Sequence, residues 1–205
     1  VYELGVRMMT LTWNHENELA SPQRTPGGVL VPQTEKGLTG KGFEFLAEME
    51  RMHMIVDVSH LSDKGFWDIV EHGTRPFAAS HSNCRALAPH TRNLTDEMIR
   101  ALSERGGIAG LNYYAPFLDT DPTHPENCRS TVELIAKHAA HYKQVGGAQM
   151  IALGSDFDGI DGPHQLENAA FLPLLADALR KEGFTEDEVE GIYYRNAMRF
   201  FEENL

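Results

Sequence analysis

The sequence predicts an α/β protein in which βα units repeat around a parallel sheet. Five short apolar runs, rich in β-branched residues, are each followed at once by polar residues. Patterns typical of amphipathic helices lie between these runs, and this alternation is the rhythm of repeated βα units. No linker or internal repeat interrupts it, so we expect a single domain over residues 1–205.

The five apolar runs are the predicted strands, because each is too short for a typical helix. They cover residues 5–12, 54–59, 76–80, 107–112 and 150–155. The stretch 21–42, which follows the first strand, is rich in Gly and Pro. We expect a long loop there.

Each predicted helix begins at a helix breaker or at a residue that can cap its first turn. In chain order these starts are the Gly-rich breaker 40–42, Ser62, Thr95, Ser130 and Thr185. Two helices are expected after the fifth strand. Thr185 and Glu188 have the spacing of a capping box, which strengthens the start of the final helical segment.

Composition limits the classes of partner and location. The chain has 30 Asp and Glu against 18 Lys and Arg, a formal charge of -12, which disfavours phosphate backbones and anionic lipids. No apolar window approaches the about 18 to 20 residues of a membrane span, and no signal peptide begins at Val1. Cys84 and Cys128 could form at most one disulfide. We therefore expect no nucleic-acid or membrane partner and a reducing, cytoplasmic location.

Polar side chains capable of binding a metal follow three of the predicted strands. His60 comes after the second strand, His81 after the third and Asp156 after the fifth. Loops at the carboxyl ends of parallel strands converge on one face, so these side chains are expected to meet. Imidazole and carboxylate are ligands of zinc-like ions, whose bound water becomes a nucleophile near neutral pH.

A single histidine after a strand is more often a hydrogen-bonded structural residue than a ligand, so the metal hypothesis depends on the three residues together. The other histidines lack this placement. His138 and His141, three residues apart on one predicted helix, are interpreted as structural or solvent-facing.

Several separated segments resemble the renal or membrane dipeptidase family of zinc peptidases, and the resemblance extends over essentially the whole chain. They are Gly5-Val6-Arg7, Leu11-Thr12-Trp13-Asn14, Asp57-Val58-Ser59-His60, Ser80-His81-Ser82-Asn83, Arg92-Asn93-Leu94, Gly154-Ser155-Asp156-Phe157-Asp158-Gly159 and the ending 195–201. Segments that match in order and spacing are far more specific than one short motif.

The resemblance implies a TIM (β/α)8 barrel with a pair of zinc ions, His60 and His81 binding one ion and Asp156 the other. A bridging glutamate and a His-x-Asp pair complete the family's site, and neither can be located in this sequence. The chain would then supply about the last five βα units of the barrel. The first three strands and their ligands would lie outside it, since five strands cannot close an eight-stranded barrel.

The resemblance also assigns residues to substrate binding. Arg92, eleven residues after His81, would hold the substrate's free carboxylate, whereas the sequence alone favours a salt bridge. Tyr114 either lines the pocket or is an ordinary buried aromatic residue. Many family members carry a histidine where this chain has Trp13, and an indole cannot carry a proton there. His15 would then have to reach in from the loop to contact substrate.

The function implied is hydrolysis of dipeptides by a metal-activated water, with Asp156 holding that water and moving its proton to the leaving amine. One alternative is an amidohydrolase-type enzyme that acts on a non-peptide amide or lactam. Another is a non-catalytic relative that binds a small acidic ligand. A homodimer is possible in each case.

Overall fold

Five parallel strands form one sheet, in the order in which they occur along the chain. The computed structural model describes residues 1–23, 31–120, 124–162 and 164–205. The strands are β1 (Met8–Thr10), β2 (Ile55–Asp57), β3 (Ala78–Ala79), β4 (Ile108–Leu111) and β5 (Ile151–Leu153). The predicted α/β class with a parallel sheet is confirmed. Every strand is shorter than predicted at both ends, and the residues that follow it form polar loops.

Helices lie between and after the strands. They are α1 (Gly40–Arg51), α2 (Asp63–His72), α3 (Asp96–Glu104), α4 (Ala115–Leu118), α5 (Val132–Gly146), α6 (Leu172–Lys181), α7 (Glu186–Glu190) and α8 (Asn196–Asn204). A π-helical segment, Gly191–Arg195, joins α7 to α8. The short helix α4 was not predicted, because its four residues are too few to show a helical period.

Most predicted helix starts are confirmed by the capping contacts. The side chains of Ser62 and Thr95 accept from backbone N–H groups of the first turn, and Thr185 forms its capping box with Glu188. The predicted start at Ser130 is wrong. Thr131 caps α5 instead, because the hydroxyl of Ser130 donates to the backbone carbonyl of Tyr113.

The first helix begins earlier than predicted. Thr39 caps α1, and the helix runs through the glycines that the sequence marks as a breaker. The described part of the predicted long loop carries only isolated bridges, Ala20 to Leu38 and Pro22 to Leu61. Residues 24–30 of that loop lie outside the described residues.

The two faces of the sheet are covered differently. Alternate strand residues such as Val56 pack with the helices into the main core. The opposite face, at the beginning of the strands, forms a small second core against Phe200 of α8; its strand members are Ile55, Ala78, Ile108 and Ala152. Side chains alternate along a strand, so Asp57 lies on the same face as Ile55. The second core therefore lies beneath the polar carboxyl end of that face.

Two of the histidines assigned structural roles form specific contacts. His138 is buried; its Nδ1 accepts from the backbone N–H of Cys84, and its Nε2 lies 3.1 Å from the carbonyl of Leu118. Burial lowers the pKa of His138 to about 4, so the ring is neutral at pH 7. His141 lies 2.7 Å from a carboxylate oxygen of Asp96. Both histidines therefore serve the packing of α5, as predicted.

Cys84 and Cys128 are free thiols. Across the described ranges, no helix combines the length and the apolar character that crossing a bilayer requires.

Candidate active site

A cavity of about 540 Å³ opens at the carboxyl ends of the strands. Its walls come from the segments that follow each of the five strands. The lining residues are Trp13, Asn14, Gln23, His60, His90, Arg92, Tyr114, Phe117, Asp156, Gly159, Ile160 and Asp161. Four of the predicted site residues thus share one concave surface, the usual form of a small-molecule site: His60, Arg92, Tyr114 and Asp156.

His60 and His81 converge at the edge of this cavity. Their Nε2 atoms lie 2.9 Å apart, and their ring centroids are 4.9 Å apart. The Nδ1 atom of each ring has its own partner: Asn14 Oδ1 at 3.1 Å from His60, and Ser80 Oγ at 2.7 Å from His81. The convergence expected from the strand ends is present, and both rings are held from behind.

Both rings are neutral at pH 7. Burial, assisted by the positive charge of Arg92, lowers the pKa of His60 to about 3. Burial also lowers the pKa of His81, although the negative charges of Asp57 and Asp156 oppose that shift. Neutral imidazole is the form that binds a metal ion, because the ion coordinates a nitrogen lone pair.

The donor chemistry at this point fits an ion of the zinc class. Zinc held by two imidazoles at about 2.0 to 2.1 Å brings the two nitrogens within about 3.5 Å of each other. The 2.9 Å between the Nε2 atoms of His60 and His81 meets that limit. Each ring is also contacted at its Nδ1 by a polar side chain, and a contact to the second ring nitrogen is what orients metal-binding histidines. The metal role of the two residues stays a prediction.

Asp156 occupies a conformation that few residues other than glycine adopt. Its φ is +66°, in the left-handed region. One carboxylate oxygen accepts from Asn112 Nδ2 at 3.1 Å. A Cβ at Gly159 would lie 2.2 Å from the other carboxylate oxygen, so a larger residue there would have to displace the Asp156 carboxylate. The loop is built to hold this carboxylate in the cavity.

Asp156 does not join the two histidines in one compact ligand set. Within the described part of the chain, the ligand atoms of these three residues do not all lie within 4.8 Å of one another. The assignment of Asp156 to a separate ion stays a prediction. The negative charge of Asp156 nevertheless acts on both His81 and Arg92, which places the carboxylate within electrostatic reach of the site.

Arg92 presents a buried donor without a partner. Its Nε donates to the carbonyl of Ser59, and the guanidinium lies 5.4 Å from the ring centroid of Phe117. Its Nη2 is buried and has no hydrogen-bond partner among the described residues. Burial lowers the pKa of Arg92 to about 10, with the charges of Asp57 and Asp156 opposing the shift. Arg92 therefore stays charged at pH 7.

The salt bridge that the sequence alone favours for Arg92 is not found. No carboxylate of the described residues forms an ion pair with it. A buried guanidinium N–H without a partner is costly, because the group has lost its water without gaining a hydrogen bond. A carboxylate or another anion that accepted from Nη2 would remove this cost.

The other predicted substrate residues differ in position. Tyr114 lines the cavity and packs edge-on against Phe117, with ring centroids 5.1 Å apart. Trp13 also lines the cavity. His15 is exposed, is not among the lining residues, and has its ring 6.3 Å from that of Trp13. The structure therefore does not bring His15 to the site, and its contact with substrate stays a prediction.

Sequence reasoning assigned no role to several residues that surround the site. Asp57, Ser80 and Asn14 support the two histidines, and His90 lines the cavity with its Nδ1 accepting from the backbone N–H of Arg92. One signal was available for Asp57. A charged residue within a buried apolar strand must be hydrogen-bonded or paired, so its position between Val56 and Val58 marks it.

A different group of potential ligands lies on α2, away from the cavity. Ligand atoms of Asp68, Glu71 and His72 lie within 4.8 Å of one another, the only such group in the described residues. The carboxylate of Asp68 is already occupied by Lys64 and by the backbone N–H of Leu38. Glu71 and His72 are exposed, so nothing holds the group as a binding site.

Comparisons of the sequence place this site in a known family. The family described as "Membrane dipeptidase (Peptidase family M19)" matches residues 1–204. An uncharacterized protein encoded 5' of pqqA in Klebsiella pneumoniae is 37% identical over 97% of this chain and 72% of its own length. An uncharacterized dipeptidase of Schizosaccharomyces pombe is 34% identical over 97% of this chain, which spans 46% of that protein.

Comparisons of the structure agree. A metallopeptidase from Rhodobacter sphaeroides, solved with a phosphinate mimic of the dipeptide L-Ala-D-Ala, superposes with a TM-score of 0.88 and 31% identity. It covers 100% of this chain, which spans 57% of it. A metallopeptidase named dipeptidase AC gives a TM-score of 0.87 and 32% identity, covering 99% of this chain and 59% of its own. The chain therefore belongs to the membrane dipeptidase family, peptidase family M19.

Proposed function

We propose that the full-length protein is a metal-dependent dipeptidase. The observation that carries this proposal is the combination, in one cavity, of an unpartnered buried Arg92 N–H and the converging nitrogens of His60 and His81. The first fits a carboxylate and the second fits a metal ion. Dipeptides offer both a terminal carboxylate and a carbonyl to be polarised. The metallopeptidase that was solved with a dipeptide mimic supports the same substrate class.

We propose further that this chain forms the last five βα units of a (β/α)8 barrel, as one domain over residues 1–205. The sheet is wholly parallel, and its strands follow chain order, as in such barrels. The main core, with most of the helices, packs against one face, while the other face carries Asp57 at its carboxyl end. The solved metallopeptidases that the chain resembles are longer than the chain itself, which leaves room for further strands.

In the proposed mechanism, His60 and His81 hold one metal ion and Asp156 holds a second, with zinc as the proposed metal. When bound, such ions lower the pKa of a coordinated water and polarise a carbonyl oxygen. Asp156 accepts a proton from the attacking water and delivers it to the leaving nitrogen. The oxygen of water becomes bonded to the carbonyl carbon, the C–N bond breaks, and the amine departs with the proton.

Arg92 determines which substrates reach this chemistry. A planar guanidinium can grip a carboxylate through two parallel hydrogen bonds. Because a dipeptide buries little surface, one such contact has a large share in its recognition. Longer peptides would place their terminal carboxylate beyond Arg92. A cytoplasmic location and a homodimer stay predictions of the sequence.

Dipeptide hydrolysis by the full-length protein, before and after metal removal, tests the proposal. We expect turnover of dipeptides to disappear on chelation and to return with added zinc. The same assay should include acyl-amino acids, lactams and lactones. A preference for lactams or lactones would favour the amidohydrolase alternative, and metal binding without turnover of any of them would favour a binding protein.

Arg92→Lys should weaken dipeptide binding by about 1 to 3 kcal/mol, because lysine keeps the charge but loses the planar contact through two parallel hydrogen bonds. KM for dipeptides should rise correspondingly. Steady-state kinetics of the full-length enzyme measure this change. Metal content should stay at the wild-type value. Arg100→Lys, at an exposed arginine of α3, is the matched control. Wild-type kinetics for Arg92→Lys would leave Arg92 with only its structural contact to Ser59.

A further inference from the structure

Asp57 is a buried carboxylate that receives an unusual number of hydrogen bonds. Its Oδ1 accepts from Ser59 N at 3.1 Å, Ser59 Oγ at 2.8 Å and Ser80 N at 2.9 Å. Its Oδ2 accepts from Ser80 Oγ at 2.6 Å and Thr10 Oγ1 at 2.8 Å. An ionised carboxylate can only accept, so all five contacts are satisfied when Asp57 is charged.

The proton of Ser80 decides which nitrogen of His81 carries a hydrogen. A serine hydroxyl has one proton to donate. Ser80 directs it to Asp57, and a hydrogen bond to an ionised acceptor is stronger than one to a neutral nitrogen. Toward His81 Nδ1, at 2.7 Å, Ser80 Oγ can then only accept. His81 therefore carries its proton on Nδ1, and its Nε2 keeps a lone pair.

His60 is set in the same tautomer by a different partner. Its Nδ1 faces Asn14 Oδ1, which can only accept, so the ring proton lies on Nδ1. Two Nε2 lone pairs then face each other across 2.9 Å. They repel unless a cation lies between them. If Ser80 instead donated to His81 Nδ1, the proton would move to Nε2 and form an N–H···N bond that closes the pair to metal.

We propose that Asp57 is a positioning residue: acting through Ser80, it fixes His81 in the tautomer that offers Nε2 to the metal ion. This inference rests on the proposed function, in which His60 and His81 are ligands. It adds an explanation of how the Nε2 lone pairs of His60 and His81 stay available to a metal ion instead of forming an N–H···N bond with each other. Asp57 itself is buried and does not line the cavity.

Ser80→Ala in the full-length protein removes the link while sparing the backbone contacts of Asp57. We expect the Kd for zinc at the histidine site to rise by about 10- to 100-fold, the usual loss when a supporting contact to a ligand is removed. Ser59→Ala is the matched control. Ser59 also donates to Asp57, and its Oγ lies 3.2 Å from Ser80 Oγ. Toward His81, however, it accepts only from the backbone N–H, at 3.0 Å, and it makes no contact with the imidazole ring. Its Kd should stay within about threefold of wild type.

A second measurement follows the tautomer itself. In metal-free wild-type protein, ¹H–¹⁵N correlation spectra of the histidine rings should show His81 protonated at Nδ1. In Ser80→Ala the signal should shift toward protonation at Nε2. The wild-type spectrum needs no variant, so it tests the proposal even if Ser80→Ala folds poorly.

Three results would overturn the proposed action of Asp57 on His81 through Ser80, which we call the relay. They are a wild-type His81 protonated at Nε2, an unchanged zinc Kd in Ser80→Ala, and equal losses in Ser80→Ala and Ser59→Ala. The last would show that the serines act only by holding the loops. Failure of the proposed function has a separate signature. If His81→Ala binds zinc as wild type does, the ligand assignment fails and the relay fails with it.

Discussion

Asp156→Asn is expected to lower dipeptide turnover by at least the about 10²- to 10⁴-fold typical of a lost general acid-base group. Asparagine keeps the shape of the side chain and an oxygen that can accept from Asn112, but it loses the negative charge and the basicity. The turn itself should survive, because the Gly159 N–H donates to the backbone carbonyl of residue 156 at 2.9 Å. Folding should therefore be retained.

The measurement is dipeptide hydrolysis by the metal-saturated, full-length variant, with the melting temperature recorded in parallel. Asp158→Asn is the matched control, since Asp158 belongs to the same loop but is exposed and does not line the cavity. It should keep both turnover and stability. Near-normal turnover of Asp156→Asn would remove Asp156 from the mechanism and leave it a role in closing the loop.

Replacement of His60 or His81 by alanine should remove one metal ion per protein. Each variant leaves a single imidazole where two converge, so the loss in affinity should exceed the about 10- to 100-fold caused by disturbing a supporting contact. Turnover should fall with the metal content. Elemental analysis after dialysis measures the ion directly, without reference to activity.

His72→Ala is the control that separates the two possible metal locations. His72 belongs to the group on α2 with Asp68 and Glu71, which has the compact spacing of a ligand set but is mostly exposed. This variant should keep the full metal content. Metal lost from His72→Ala, and kept in His60→Ala and His81→Ala, would move the metal site to α2.

The location of the site was predictable, because the loops that follow parallel strands all lie at the carboxyl edge of the sheet, whatever the details of packing. His60, Arg92 and Asp156 could be placed in one cavity on that basis, together with the resemblance of their segments. The capping residues Ser62, Thr95 and Thr185 were equally accessible, since a cap is a local contact. Ser130 failed because a tertiary contact to the loop after β4 took its hydroxyl.

Other features depend on contacts between distant residues. The role of Asp57 follows from hydrogen bonds that cross from β1 to β3, which no local pattern encodes. The unpartnered Nη2 of Arg92 is a property of the surrounding packing. The position of His15 depends on the path of an irregular loop. Such features belong to the assembled structure, and single-sequence patterns cannot supply them.

The left-handed backbone of Asp156 lowers the stability of the fold, whereas the proposed function needs the carboxylate that Asp156 carries. A residue with a Cβ at this φ costs the folded state about 1 kcal/mol relative to glycine. Glycine would relieve the strain but would also delete the carboxylate. Selection for stability alone would therefore favour glycine at this position. Under the proposed function, keeping Asp156 exchanges part of the stability of the fold for chemistry. In a duplicated gene that is no longer selected for catalysis, we expect Asp156→Gly to be a substitution that increases the stability of the fold.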